Sequence, residues 1–281
     1  MKRFVLAYHS HRVLGDDYAR NDHVALAADL RTIHALGARI VPLAAIVDAI
    51  TGAARADARE LPAEVALTFD DGPEYDALDF VHPRFGAQRG FLGVLRDFAS
   101  EYGTDAQAGL AATSFVIASP AARRCMEQTY DRAHSYVGDA ALNDDWWDEA
   151  IASGLLAIAN HSWDHLHEGM AVVAHSKNAR GDFAKVTTPH DADAQIARAA
   201  EYLARRTHGR DAPFFAYPYG HYNRFLVDEY LPANARRLRL RAAFTTEARP
   251  IAEGDNRWCL PRYVCGHHWT SPDALREILD H

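Results

Sequence analysis

Cysteine, basic charge and long apolar runs are all scarce in this chain of 281 residues. Its three cysteines, Cys125, Cys259 and Cys265, are odd in number and share no ligand spacing, which excludes a disulfide framework and a thiolate metal cluster. No segment approaches the roughly 20 consecutive apolar residues that cross a bilayer. Lysine and arginine number 30 against 38 acidic residues, a formal charge of −8, and no basic run offsets it; nucleic acid is excluded as a partner on that ground. The densest basic stretch, Arg236-Arg237-Leu238-Arg239-Leu240-Arg241, reads as a solvated helix end. The opening, Met1 to Ala7, holds two basic residues but an apolar run too short for a secretory signal, so it reads as a first strand. The expected compartment is the cytoplasm, or outside the cell if the chain is a processed form.

What the chain does have is core-forming material, 48% hydrophobic against 24% charged residues, arranged in alternating β-rich and helix-period segments. Near-continuous apolar runs at Phe4–Tyr8, Arg39–Val41, Val65–Phe69, Ala112–Ile117, Leu155–Ala159, Phe214–Tyr217, Ala242–Thr245 and Leu260–Cys265 predict parallel strands buried on both faces. Between them, Leu26, Leu30 and Ile33 share a helical face closed by Gly37, and Trp147, Ala150 and Ile151 mark another helix. Ile196, Ala199, Ala200 and Leu203 give a third, with Asp191 as candidate N-cap, and Ser271-Pro272 opens the last. This alternation without a clear linker predicts one α/β domain over 1–281, a (β/α) barrel. Residues 72–110 and 167–190 break the rhythm and read as insertions, either cleft-forming or plain surface.

Two strand ends carry chemistry. Val65–Phe69 stops at Asp70-Asp71-Gly72-Pro73, where adjacent carboxylates at a strand end point different ways: one can hold a cation and the other stay free as a base. Turn formation alone also explains Asp-Asp-Gly-Pro. Leu155–Ala159 leads into His161-Ser162-Trp163-Asp164-His165, whose spacing of four places both imidazoles on one face if the segment turns helically. Together they offer a two-histidine, one-carboxylate site, which suits metal-assisted hydrolysis with positions left open for water and substrate. Asp164 reads either as an acceptor orienting a ligand histidine or as a helix cap. The same triad serves non-haem iron oxygenases, a poor match to α/β alternation.

Thr68-Phe69-Asp70-Asp71-Gly72 and His161-Ser162-Trp163-Asp164-His165 resemble, in this order, the first two motifs of the polysaccharide deacetylases, the NodB-homology carbohydrate esterases. Phe215-Ala216-Tyr217-Pro218-Tyr219-Gly220 resembles the third motif in the form found in the poly-N-acetylglucosamine subgroup. The resemblance implies an irregular barrel of about seven strands. It also implies a divalent metal, zinc first and cobalt, nickel or manganese as alternatives, held by Asp71, His161 and His165. Asp70 would be the base and the Tyr219 N–H an oxyanion donor. The arginine that usually opens the third motif is replaced by Ala216, so Arg262 in Leu260-Pro261-Arg262-Tyr263 is the candidate substitute, with a structural salt bridge as its other reading. Trp258 resembles a tryptophan packed near the catalytic residues, with a core tryptophan as its default reading. The family's last motif is not cleanly present: His267 is the provisional general acid, with His268, His9 and His11 as rivals. The expected activity is removal of an acetyl group from an N-acetylated amino sugar; a hydrolase of a small intracellular amide and a non-catalytic carbohydrate binder are the alternatives.

Overall fold

A computed structural model describes residues 2–52, 62–129, 136–138 and 140–280. The chain runs through β1 (Arg3–Tyr8), α1 (Asp22–Ala35), β2 (Arg39–Ile40), α2 (Leu43–Ile50), β3 (Glu64–Asp71), β4 (Phe80–His82), β5 (Gly86–Gln88), α3 (Phe91–Tyr102), β6 (Ala112–Val116) and α4 (Pro120–Thr129). It continues through α5 (Trp147–Ala152), β7 (Leu156–Asn160), α6 (Pro189–Ala192), α7 (Arg198–Arg206), β8 (Phe214–Ala216), α8 (Leu231–Leu238), β9 (Ala242–Phe244), β10 (Tyr263–Val264) and α9 (Pro272–Asp280).

All eight expected strands form, and they make one parallel sheet in the order β10-β1-β3-β6-β7-β8-β9, with β2 pairing the start of β3. The sheet curls into an irregular barrel whose edges meet through one segment. Leu260 exchanges hydrogen bonds with β9 and its extension, through Ala243 O (2.9 Å) and Thr245 N (2.8 Å). Three residues later β10 pairs with β1, Tyr263 opposite Leu6 and Val264 opposite Ala7. Residues 260–264 therefore form the seam.

Strand alternation sorts the core into two layers. Phe4, Leu6 and Tyr8 of β1 and Val65, Leu67 and Phe69 of β3 face outward, onto a cluster completed by α1, α3 and α9. Val5, Ala66, Phe115, Ala159 and Phe244 face inward, and the apolar face of α2 (Leu43, Ile46, Val47) packs on them. On β3 the inward column continues upward from Ala66 through Thr68 to Asp70, which brings it to the site.

Two sequence expectations need correction. The second half of the 72–110 insertion is α3, a barrel helix whose Phe91, Leu92, Leu95 and Phe98 are buried in the outer layer; only the β4–β5 hairpin and its flanks stand apart. Asp191 does not cap its helix. Thr188 is the N-cap, its hydroxyl accepting from Asp191 N, while the Asp191 carboxylate accepts from Ser176 and Thr188 and so anchors the preceding loop. Thr188 is followed by proline at the first helical position, a stronger start signal than an acid three residues on. The 167–190 segment packs on buried Val173, Phe183 and Val186, which join the cluster beneath β8.

Candidate metal and catalytic site

Asp70 and Asp71 both line one cavity of about 450 Å³ at the C-terminal ends of the strands. Regular alternation would send Asp71 to the helix side. It reaches the cavity because its backbone sits in the left-handed region, φ 74°, and Gly72 follows at φ 72°. A Cβ on Gly72 would come within 2.5 Å of Val116 Cγ1 and 3.0 Å of the Val116 backbone. Gly72→Ala is therefore expected to lose about 1–3 kcal/mol of stability, the usual cost of overpacking; a denaturant midpoint equal to wild type would show that the turn relaxes freely.

The histidine pair is assembled by a loop, not by the helical turn its spacing suggested. Ser162, His165 and Leu166 have φ of 72°, 62° and 46°. The Asn160 side chain accepts from Ser162 N (2.8 Å), and the Ser162 hydroxyl accepts from His165 N (3.0 Å). Asp164 is committed to the loop as well, accepting from Leu166 N, Ala174 N and Gln195 Nε2, and neither orients a ligand histidine nor caps a helix. Gln195 belongs to a π-turn, Asp193–Ala197, that joins α6 to α7. Of the nine positive-φ residues other than glycine among the described residues, Asp71, His165 and Tyr219 line this cavity, and Ser162 and Leu166 flank His165 in its loop. Backbone strain of that kind persists where surrounding structure over-determines it.

His161 Nε2 and His165 Nε2 each stand 3.5 Å from Asp71 Oδ1, and the three donor atoms lie within 4.8 Å of one another. His161 Nδ1 donates to the Ala216 carbonyl (2.9 Å), which orients the ring with Nε2 toward Asp71. Burial pushes the His165 pKa down to about 3, Asp71 only partly opposing it, so the ring is neutral. Burial raises the Asp71 carboxyl, but the hydrogen bond from His11 and the nearby His165 and His161 outweigh it and hold it well below the usual carboxylate range. Donors on ~2.1 Å bonds around a tetrahedral ion stand roughly 3.4 Å apart. Two imidazoles and one carboxylate at this separation fit a divalent cation.

Asp70 faces a different partner. Arg262, wholly buried, donates from Nη1 and Nη2 to the two Asp70 oxygens, each at 2.8 Å. Its remaining bonds go to Thr68 Oγ1 (3.1 Å) and the Thr245 carbonyl (3.0 Å), and its plane lies over Phe115. Burial alone would raise the Asp70 pKa; the Arg262 charge, helped by His161, brings it below the ordinary value. The third-motif position contributes Ala216 through its backbone oxygen only.

Tyr219 sits on a short turn, Pro218–Gly220, with φ 58°, its ring 4.3 Å from His165 and part exposed at the cavity mouth. Trp258 does not line the cavity: it is buried in the cluster beneath β8, where its carbonyl accepts from the Tyr217 hydroxyl. His9, His11, His267 and His268 all line the cavity. His268 is engaged through Nδ1 by Val264 N–H (2.7 Å), and His11 Nε2 is 2.9 Å from Asp71 Oδ2. The last contact escaped sequence reasoning, because 60 residues separate the partners.

Among solved structures the fold is similar to a Streptococcus pyogenes deacetylase, PplD, in complex with acetate. That pair is 19% identical with TM-score 0.61, covering 99% of this chain and 98% of the other. It is also similar to a de-N-acetylase from Aggregatibacter actinomycetemcomitans (17%, TM-score 0.62, 99% and 100%) and to IcaB from Ammonifex degensii (19%, TM-score 0.59, 99% and 96%). No curated protein sequence matches the chain. No helix among the described residues is long and apolar enough to cross a membrane. The family model for polysaccharide deacetylase matches residues 58–236, more than half of the chain. With the Asp-Asp strand end and the two-histidine loop inside that span, the chain belongs to the polysaccharide deacetylase family and is an amide-hydrolysing enzyme.

Proposed function

We propose that the protein removes acetyl groups from the amide nitrogens of an N-acetylated amino-sugar polymer, with a zinc ion held by Asp71, His161 and His165. The reading rests on one arrangement: the Asp70 carboxylate, held ionised by Arg262, beside a buried donor set in the same cavity. Two of the similar structures are named for deacetylation, which supports acetyl as the group removed. The part-exposed Tyr219 ring at the cavity mouth supplies an apolar face on which a sugar ring can stack.

Bound there, the ion supplies Lewis-acid polarisation of the amide carbonyl and a lowered pKa, toward ~7, for water. Asp70 accepts the proton of the attacking water, and Arg262 keeps that carboxylate ionised and aimed. The Tyr219 N–H donates to the carbonyl oxygen as charge collects on it, a contribution of about 3–4 kcal/mol for one such donor. The departing nitrogen takes a proton from a histidine. His9 fills that role ahead of His267, because the burial that lowers its pKa is partly opposed by Asp71 and Asp70, which both favour its charged form. His9→Ala is expected to cost about 10²–10⁴-fold in kcat, with His267→Ala near wild type; the reverse pattern would return the acid to His267.

The test is acetate release from N-acetylglucosamine oligomers by zinc- or cobalt-loaded protein, beside chelated protein and a panel of small N-acyl compounds. Metal-dependent release from the oligomers is the expected result. Release from the small compounds alone would make the protein a small-amide hydrolase. Oligomer binding without release at any metal loading would make it a carbohydrate binder.

A further inference from the structure

We infer that His11 is a positioning residue of the metal centre, whose Nε2–H pins one oxygen of Asp71 so that only the other faces His161 and His165. The inference rests on Asp71 being a metal ligand, and adds a role for a residue outside the donor set.

The two oxygens of Asp71 have different surroundings. Oδ1 is 3.5 Å from both ligand histidines, whereas Oδ2 is 2.9 Å from His11 Nε2. A carboxylate has no proton to give at neutral pH, so the proton in this bond belongs to His11 Nε2. His11 is not one of the three residues whose donor atoms converge. Its bond to Asp71 is the route by which it acts on the ion. A carboxylate on a left-handed backbone has two ways to present itself, through one oxygen or through both. The His11 bond selects the first.

That selection needs His11 itself to be fixed, and the segment after β1 is held from several sides. Ser10, fully buried, donates from Oγ to Asp76 Oδ1 (2.5 Å), and Asp76 Oδ2 accepts from Ser114 Oγ on β6 (2.5 Å). The Ser10 carbonyl accepts from His23 Nε2 on α1 (2.7 Å). The His11 carbonyl accepts from Val13 N (3.0 Å) and Tyr136 N (2.7 Å). A plain core histidine would explain the burial. It would not explain why the ring nitrogen meets the ligand carboxylate on Oδ2, opposite the oxygen that the other two histidines approach at 3.5 Å.

The experiment compares zinc affinity, by competition with a chromophoric chelator, in wild type, His11→Leu, His11→Gln and His161→Ala. Loss of an outer hydrogen bond of this kind costs about 10–100-fold in metal affinity. His11→Leu should show that loss, and His11→Gln, whose side-chain amide still donates, should recover most of it. Leu and Gln variants that bind zinc equally, tightly or weakly, would overturn the inference. Absence of zinc binding by wild type would instead sink the metal reading, and the inference with it; wild-type binding lost in His161→Ala separates the two failures. If neither His11 variant folds, histidine nitrogen NMR of the wild-type protein decides. A protonated Nε2 on His11 supports the assignment, and a proton on Nδ1 alone overturns it.

Discussion

An Asp70→Asn variant is expected to bind zinc with wild-type affinity and to lose about 10²–10⁴-fold in kcat. The substitution keeps the shape of the side chain and touches none of the three donors. Among the described residues that line the cavity, it removes the one buried carboxylate outside the donor set; Glu168, on the far loop, is exposed. The amide cannot accept a proton from water at neutral pH. Its nitrogen would also oppose the Arg262 Nη2 that now donates to Asp70 Oδ2, so some loss of thermal stability should accompany the loss of rate. Zinc stoichiometry by atomic absorption, measured beside acetate release, separates the two effects. A wild-type rate in the fully loaded variant would remove Asp70 from the base role.

Arg262→Met should have the largest effect on stability. Arg262 is fully buried and makes a two-pronged pair with an equally interior carboxylate. Breaking a buried pair by removing one partner costs about 3–5 kcal/mol, because the other charge is left uncompensated. Asp70 escapes part of that cost by taking up a proton. In wild type the Arg262 charge overrides burial and lowers its pKa; without the arginine, burial acts unopposed and the pKa rises. The base works only when ionised, so the acidic limb of the kcat/KM profile should move to higher pH. Linkage has the matching sign. The stability that comes from the depressed Asp70 pKa is complete above the unfolded value, near ~3.9, and is lost as pH falls through the folded one. The variant should therefore lose its stability deficit relative to wild type in acid. Chemical denaturation at pH 7 and at pH 3, with a pH–rate profile, checks both. An acidic limb that does not move would detach Arg262 from the base.

The strands were legible because buried parallel strands are written as unbroken apolar runs, and each of the eight forms within a few residues of its expected bounds. Helix α3 was not: Phe91–Tyr102 follows a polar hairpin, and its glycine at 93 and acids at 97 and 101 dilute the helical stripe. At the site, Asp71, His161 and His165 converge through positive-φ residues that no periodicity records. The sequence named the right neighbours while suggesting a helical turn where there is a loop. Arg262 was reachable from the missing arginine at Ala216, but its bidentate grip depends on two strands 192 residues apart along the chain. His11 was noticed only as a rival acid, since nothing local to Tyr8-His9-Ser10-His11 says which carboxylate it meets.

The seam has a consequence for the order in which the enzyme comes into being. A ribosome makes Asp71, His161 and His165 well before it makes residues 260–264, so these three side chains exist while the barrel is still open. Arg262 arrives only with the segment that bonds to both sheet edges. A nascent or truncated chain can thus carry all three of these side chains and still lack the arginine that aims the Asp70 carboxylate. The grip on Asp70 arrives with the segment that stitches the barrel closed.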